Sequence, residues 1–274
     1  MKTILVPIDY SEISNNALEY AVELAKFSKA NLVLLHVYHI PLPVNNAPLI
    51  VVSPQELEEE NKKGIKKVEK KLLKQVGTKI KVESIVREGF VSEEIMNVAK
   101  EKNIDLIVMG ITGAGRLVQA VIGSNATYAL KKSTCPVLII PGNAKFNRTE
   151  KIVYACDYEK IKNGSVLQPV WELAKLFDAE ILVFNARDSR MQPDMYEKIE
   201  GINLEHWMGK VKHSYWFADN SDIVEAINNF AKKNKAVMVA MVARKHDFPE
   251  NLIHKSITKH MAYKTEMPLL SIHE

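Results

Sequence analysis

The chain has 274 residues, of which 47% are hydrophobic and 26% charged, with a formal net charge of +4. Such proportions fit a soluble globular protein with room for two domains of about 130 to 140 residues each. They exclude a membrane-embedded chain, since no apolar stretch approaches the ~20 residues needed to cross a bilayer.

The first residues run directly into a strand pattern, with no basic segment and apolar signal core, so the cytoplasm is the expected compartment. An apolar strand over residues 3–8 ends at Asp9, and Ser14-Asn15 reads as the cap of an amphipathic helix carrying Ala17, Leu18, Ala21, Val22, Leu24 and Ala25. Leu32 to Val37 is apolar almost without interruption, the pattern of a parallel strand covered on both faces. Pro41, Pro43 and Pro48 then exclude regular helix and central strand. Ser53-Pro54-Gln55-Glu56 predicts a capped helix start, opening a long helix whose Lys62, Lys63, Lys66, Lys67, Lys70, Lys71 and Lys74 form a solvated basic face. A third strand is expected near Lys79 to Arg87, followed by Gly89 and a helix near Ser92 to Lys102. Asp105 to Met109 and Pro136 to Ile140 complete five strands, which with their crossover helices make a doubly wound parallel α/β domain.

The second half repeats the first in order. Glu23-Leu24-Ala25-Lys26 recurs as Glu172-Leu173-Ala174-Lys175, Asn97-x-Ala99-Lys100 as Asn229-x-Ala231-Lys232, Pro136 as Pro268, and Asp9 is matched by Asp157. The repetition implies tandem domains over residues 1–145 and 146–274, joined by a linker near Gly142 to Glu150. The offset falls from 148 or 149 to 132 along the chain, so the second copy is shorter between its second and third strands.

Between the fourth strand and the helix-like segment Asn125 to Lys132 stands Gly110-x2-Gly113-x9-Gly123-Ser124. Glycines after a buried strand let backbone N–H groups approach an anion, and Gly123-Ser124 adds donors at a helix N-terminus, so the motif reads as a phosphate cradle. Neither the Walker spacing nor GxGxxG is present.

In this motif the sequence resembles the nucleotide-binding members of the universal stress protein family. Ile4-Leu5-Val6-Pro7-Ile8-Asp9 resembles that family's first strand, and Cys135-Pro136-Val137-Leu138-Ile139-Ile140 its last. The resemblance covers residues 1–142 and implies two tandem Rossmann-like domains of the adenine nucleotide alpha hydrolase type. It further implies that the first copy binds ATP, or AMP or ADP, with Mg2+ as an optional companion. Asp9 is similar to the acid that contacts the nucleoside, Val37 to the position whose backbone meets adenine, and Gly89 to the small residue near the base. Gly110, Gly113, Gly123 and Ser124 correspond to the phosphate set, with Thr112, Arg116 and Asn125 as adjacent candidates. The resemblance also implies that Pro136 to Ile140 and Pro268 to Ile272 pair within the chain, and it leaves a homodimer open.

In the second copy the offset of 132 turns Gly110 into Val242, Gly113 into Lys245 and Gly123 into Lys255, and keeps only Ser124, as Ser256. Side chains would occupy the space that phosphates need, so this half is expected to lack nucleotide.

No aspartate pair or lysine in the glycine loop equips the chain for phosphoryl transfer. The function expected is therefore a non-catalytic stress-response sensor or regulatory module. The alternatives are a nucleotide-independent scaffold or chaperone-like partner, and slow ATP hydrolysis or self-phosphorylation with Ser124 as acceptor. Residues 1–148 carry 20 basic against 15 acidic side chains, yet no aromatic interleaving or recognition motif points to nucleic acid. Cys135 and Cys156 have no metal or disulfide spacing, and six of the eight histidines fall in the second copy without HExxH spacing. Trp171, Trp207 and Trp216 read as core or interface fillers.

Overall fold

The computed structural model describes residues 1–40, 53–111, 124–148, 150–158, 161, 163–187, 195–243 and 257–273. The first half runs β1 (Thr3–Pro7), α1 (Glu12–Ser28), β2 (Asn31–Tyr38), α2 (Pro54–Val76), β3 (Val82–Glu88), α3 (Val91–Glu101), β4 (Leu106–Ile111), α4 (Ser124–Lys132) and β5 (Val137–Pro141). The second runs β6 (Lys151–Ala155), a single 3-10 turn, α5 (Gln168–Phe177), β7 (Glu180–Arg187), α6 (Met195–Met208), β8 (His213–Asp219), α7 (Ile223–Lys233), β9 (Val239–Ala243), α8 (Ile257–Lys264) and β10 (Leu269–His273). At 14 residues against 23, α6 is the shortened counterpart of α2, in line with the fall in repeat offset.

All the described strands join one sheet in the order β3-β2-β1-β4-β5-β10-β9-β6-β7-β8. Within each half they are parallel; the two halves meet antiparallel at β5 and β10, where Leu138 pairs with Leu270 and Ile139 with Leu269. The result is a mixed ten-stranded sheet whose order reads the same outward from the seam on either side.

Strand alternation sorts the core into two layers. Ile4, Val6, Leu32, Leu34, Leu138, Ile140, Leu270 and Ile272 point to the face covered by α1, α2, α5 and α6. Leu5, Val33, Leu35, Val137, Ile139 and Leu269 point to the face covered by α3, α4, α7 and α8. Helices on both faces explain why the central strands are apolar on both of their faces, with few exceptions. Each layer also crosses the seam without a break.

The repeated tetrapeptides are helix ends. In both halves the alanine of Glu-Leu-Ala-Lys is buried, and its carbonyl accepts an N–H from the chain that has turned back beyond a left-handed residue, Lys29 (φ 60°) or Asp178 (φ 53°). Ala99 and Ala231 repeat the arrangement with Asn103 (φ 48°) and Lys235 (φ 58°). The fixed alanine follows from this geometry: the helix end lies flat on the sheet, and the reversing chain needs the carbonyl within reach.

Two helix starts divide the sequence expectations. Ser53 caps α2 in a reciprocal capping box with Glu56, as the Ser-Pro-Gln-Glu pattern implies. The cap of α1 is Ser11, not Ser14-Asn15, because the Ser11 hydroxyl accepts the Ser14 N–H at 3.1 Å. The helix therefore begins one turn earlier and sets its N-terminus beside the end of β1. Smaller shifts move β3 to begin at Val82, extend β4 to Ile111 and carry β5 on to Pro141.

Candidate functional site

Strand order reverses between β1 and β4, since the chain fills one side of β1 with β2 and β3 and the other with β4 and β5. Crossover helices leave to opposite faces at such a point, opening a crevice beyond the strands' carboxyl ends.

Asp9 stands there, two residues past β1 and exposed. Its Oδ1 accepts the Ser11 N–H at 3.0 Å and the Ser11 hydroxyl at 2.6 Å, and the same hydroxyl caps α1. Partial burial pushes the carboxyl's pKa up, but the Ser11 and Ser14 hydroxyls and nearby N–H groups outweigh it and hold Asp9 below the usual carboxylate range. Asp9 is thus a turn aspartate and, at the same time, a fixed anion at the edge of the crevice.

Next to it, Tyr10 takes a left-handed conformation (φ 64°) and lays its ring 4.7 Å from that of His36. His36 precedes Val37 and joins three elements: Nδ1 lies 2.9 Å from the Ile8 carbonyl, and Nε2 lies 2.9 Å from Asn61 Oδ1 on α2. The second half clarifies the first bond. Asn185, at the equivalent position of β7, donates its amide to the Cys156 carbonyl at 2.8 Å. A carbonyl oxygen only accepts, so Nδ1 is the donor in His36, as the amide is in Asn185. Sequence reading passed over this histidine; its signal was a titratable ring inside an otherwise apolar strand. Val37 itself is half-buried and in register with Arg87 of β3.

Gly89 lies just past β3 with φ 140° and donates its N–H to the Tyr38 carbonyl at 3.1 Å. That turn alone demands glycine. Gly110 answers to packing of another kind. A Cβ there would lie 2.6 Å from both Ile13 Cγ2 and the Ile13 carbonyl oxygen, so the bare glycine lets the first turn of α1 rest directly on β4. Ser124, exposed, is the first residue of α4, with Asn125 half-buried beside it. Thr112, Gly113, Arg116 and Gly123 lie outside the described residues. The structure thus gathers Asp9, Val37, Gly89 and Gly110 at the carboxyl ends of adjacent strands, and positions Ser124 and Asn125 where α4 starts.

In the second half, Val242 occupies the Gly110 position on β9, in register with Ile272, while Lys245, Lys255 and Ser256 lie outside the described residues. Tyr158 repeats the left-handed turn of Tyr10 (φ 56°) but stacks on Phe217. No group of three or more His, Cys, Asp or Glu converges for a metal ion among the described residues. Cys135 is half-buried, Cys156 is buried, and neither forms a disulfide. Trp171 and Trp207 pack against the core, whereas Trp216 is 45% exposed on the edge strand β8. No described helix is long and apolar enough to cross a membrane.

Residues 1–141 match the model of the universal stress protein family. Universal stress protein YxiE of Bacillus subtilis is 36% identical over 143 residues, which span 50% of this chain and 97% of that protein. Universal stress protein MJ0531 of Methanocaldococcus jannaschii is 34% identical over 143 residues, 51% of this chain and 81% of its own. Over both halves, a universal stress protein structure from Archaeoglobus fulgidus superposes on 98% of this chain and 97% of its own with a TM-score of 0.77, at 18% identity, a likeness of fold. The chain belongs to the universal stress protein family, in a tandem form made of two such halves.

Proposed function

We propose that residues 1–145 bind an adenine nucleotide in the crevice beyond β1 and β4, and that the protein serves the stress response as a non-catalytic sensor. The observation that carries this reading is the fixed Asp9 carboxylate at the switch point, beside the strand and helix that bracket Gly110-x2-Gly113-x9-Gly123-Ser124. In this reading Asp9 accepts a nucleoside hydroxyl, the Val37 backbone meets the base, and the start of α4 faces phosphate with its unpaired N–H groups. Mg2+ finds no acidic cluster among the described side chains, and no step is assigned to it.

Residues 146–274 act as the degenerate partner, with a side chain at the Gly110 position. The β5–β10 ladder stands in for the contact that two separate domains would make, and it leaves β3 and β8 as the sheet edges for any homodimer. Nucleotide binding would shift the arrangement of loops and partner surface only as far as its differential affinity for the two states.

Titration calorimetry with ATP, ADP and AMP tests the reading. Saturable binding is expected in the intact chain, and a loss of at least about tenfold in Asp9→Ala and in Gly113→Val. An intact chain that binds none of the three leaves the scaffold reading. ATP turnover above that of a Gly123→Lys control would make the protein an enzyme.

A further inference from the structure

The sheet order repeats outward from the β5–β10 seam, so each groove beside the seam has a mate on the other side. One of the pair is filled by the chain itself. Beyond β5 the linker lies along α1, where Asn16 donates its amide to the Pro141 carbonyl at 3.1 Å and the Ala144 carbonyl at 3.0 Å. Lys145 Nζ reaches Asn16 Oδ1 at 2.8 Å and Glu19 at 3.0 Å. Phe146 sets its ring 5.3 Å from Tyr20 and 6.3 Å from Phe27.

The mate groove is open among the described residues. The offset of 149 that aligns the two Glu-Leu-Ala-Lys segments converts Asn16, Glu19, Tyr20 and Phe27 into Ser165, Gln168, Pro169 and Leu176. Those four residues line a cavity of about 630 Å³, whose other walls include Cys135 and Leu270. Each replacement is smaller or uncharged. Where the linker's seat is closed by two aromatic rings, its mate has a proline and a leucine, and space for an incoming ring. The volume falls in the range of ligand-binding clefts.

We propose that this groove docks an extended peptide segment of a partner protein, which inserts one aromatic side chain as Phe146 does on α1. The linker supplies the argument for a peptide, since the equivalent surface already holds polypeptide in this protein. An aromatic ring is an anchor suited to a cavity walled in part by Pro169, Leu173, Leu176 and Leu270. With Gln168 in place of Glu19, the Lys145–Glu19 ion pair has no counterpart at that position of the groove.

The test uses a fluorescein-labelled peptide with the linker's own sequence, Pro-Gly-Asn-Ala-Lys-Phe-Asn-Arg-Thr, titrated against the full chain by anisotropy. Saturable binding is expected, weaker by at least about tenfold when the peptide's Phe is Ala and when the protein carries Leu176→Glu. Affinity in Glu19→Ala should be unchanged, because that residue serves the occupied seat. A second readout needs no variant: the peptide should slow alkylation of Cys135 by iodoacetamide by at least about fivefold, through exclusion of solvent from the cavity. The proposal fails if the two peptides bind alike, if neither saturates, or if Cys135 is not protected. It also fails if Glu19→Ala rather than Leu176→Glu abolishes binding, which would place the peptide in the linker's own seat. A chain that sediments as a dimer, and as a monomer with Leu176→Glu, would assign the groove to a second copy instead.

Discussion

Phe27, at the end of α1, and Phe177, at the end of α5, stack across the two halves with ring centroids 5.3 Å apart and planes 10° from parallel. Phe146 of the linker lies 6.0 Å from Phe177, and the Arg148 guanidinium sits 4.3 Å over Phe27. Four aromatic contacts, that of Tyr20 with Phe146 included, join α1, the linker and α5, on top of the strand ladder between β5 and β10. The halves are therefore packed as one body rather than tethered.

Phe146→Ala is expected to lower stability by about 2 kcal/mol, below the range for a fully buried phenylalanine because the ring is half-buried. Urea unfolding followed by circular dichroism and by tryptophan fluorescence should remain a single coincident transition in the native chain. Two separated transitions there would show that the aromatic joint does not couple the halves.

Gly110→Ala places a methyl group 2.6 Å from the Ile13 carbonyl oxygen, a backbone atom that no rotamer change can move. Overpacking of this kind destabilises by about 1–3 kcal/mol. The displaced first turn of α1 carries Ser11, so adenylate affinity should fall together with thermal stability. Unchanged melting in Gly110→Ala would mean that α1 and β4 leave room for the methyl group.

Ser271 is fully buried at the seam, in register with Val137, and its hydroxyl has no hydrogen-bond partner among the described residues. Its counterpart in β5 is Ile139, an apolar residue. Removal of an unsatisfied buried hydroxyl relieves a desolvation penalty, so Ser271→Ala should stabilise the chain by about 1 kcal/mol. Urea midpoints measure it, and a drop of similar size would reveal a bonded hydroxyl.

His213 sets Nδ1 2.7 Å from the Val211 carbonyl and Nε2 3.1 Å from Glu205. Burial pulls its pKa down, but the Val211 carbonyl and the Glu205 and Glu180 carboxylates prevail and raise it above the usual histidine value. A group raised on folding stabilises fully below its unfolded pKa of about 6.5, and the contribution fades as pH rises through the folded value. Stability should therefore decline from about pH 6 to 8 more steeply in the native chain than in His213→Gln. Parallel slopes in the two proteins would remove His213 from the account.

Much of the strand and helix alternation was legible in the amino-acid order, since covered parallel strands need unbroken apolar runs and α2 needs its Ser53–Glu56 box. The repeated Glu-Leu-Ala-Lys segments announced the duplication because each buried alanine must offer its carbonyl to the reversing chain. These are local demands, expressed within a few residues. Tertiary structure alone decided that Ser11 caps α1, that Gly110 yields to Ile13 nearly a hundred residues away, and that His36 ties the residue after β1 to α2. It also decided that one of two equivalent grooves is closed by Phe146 while the other stays open. Such features depend on which distant atoms meet, and periodicity along a chain carries no record of that.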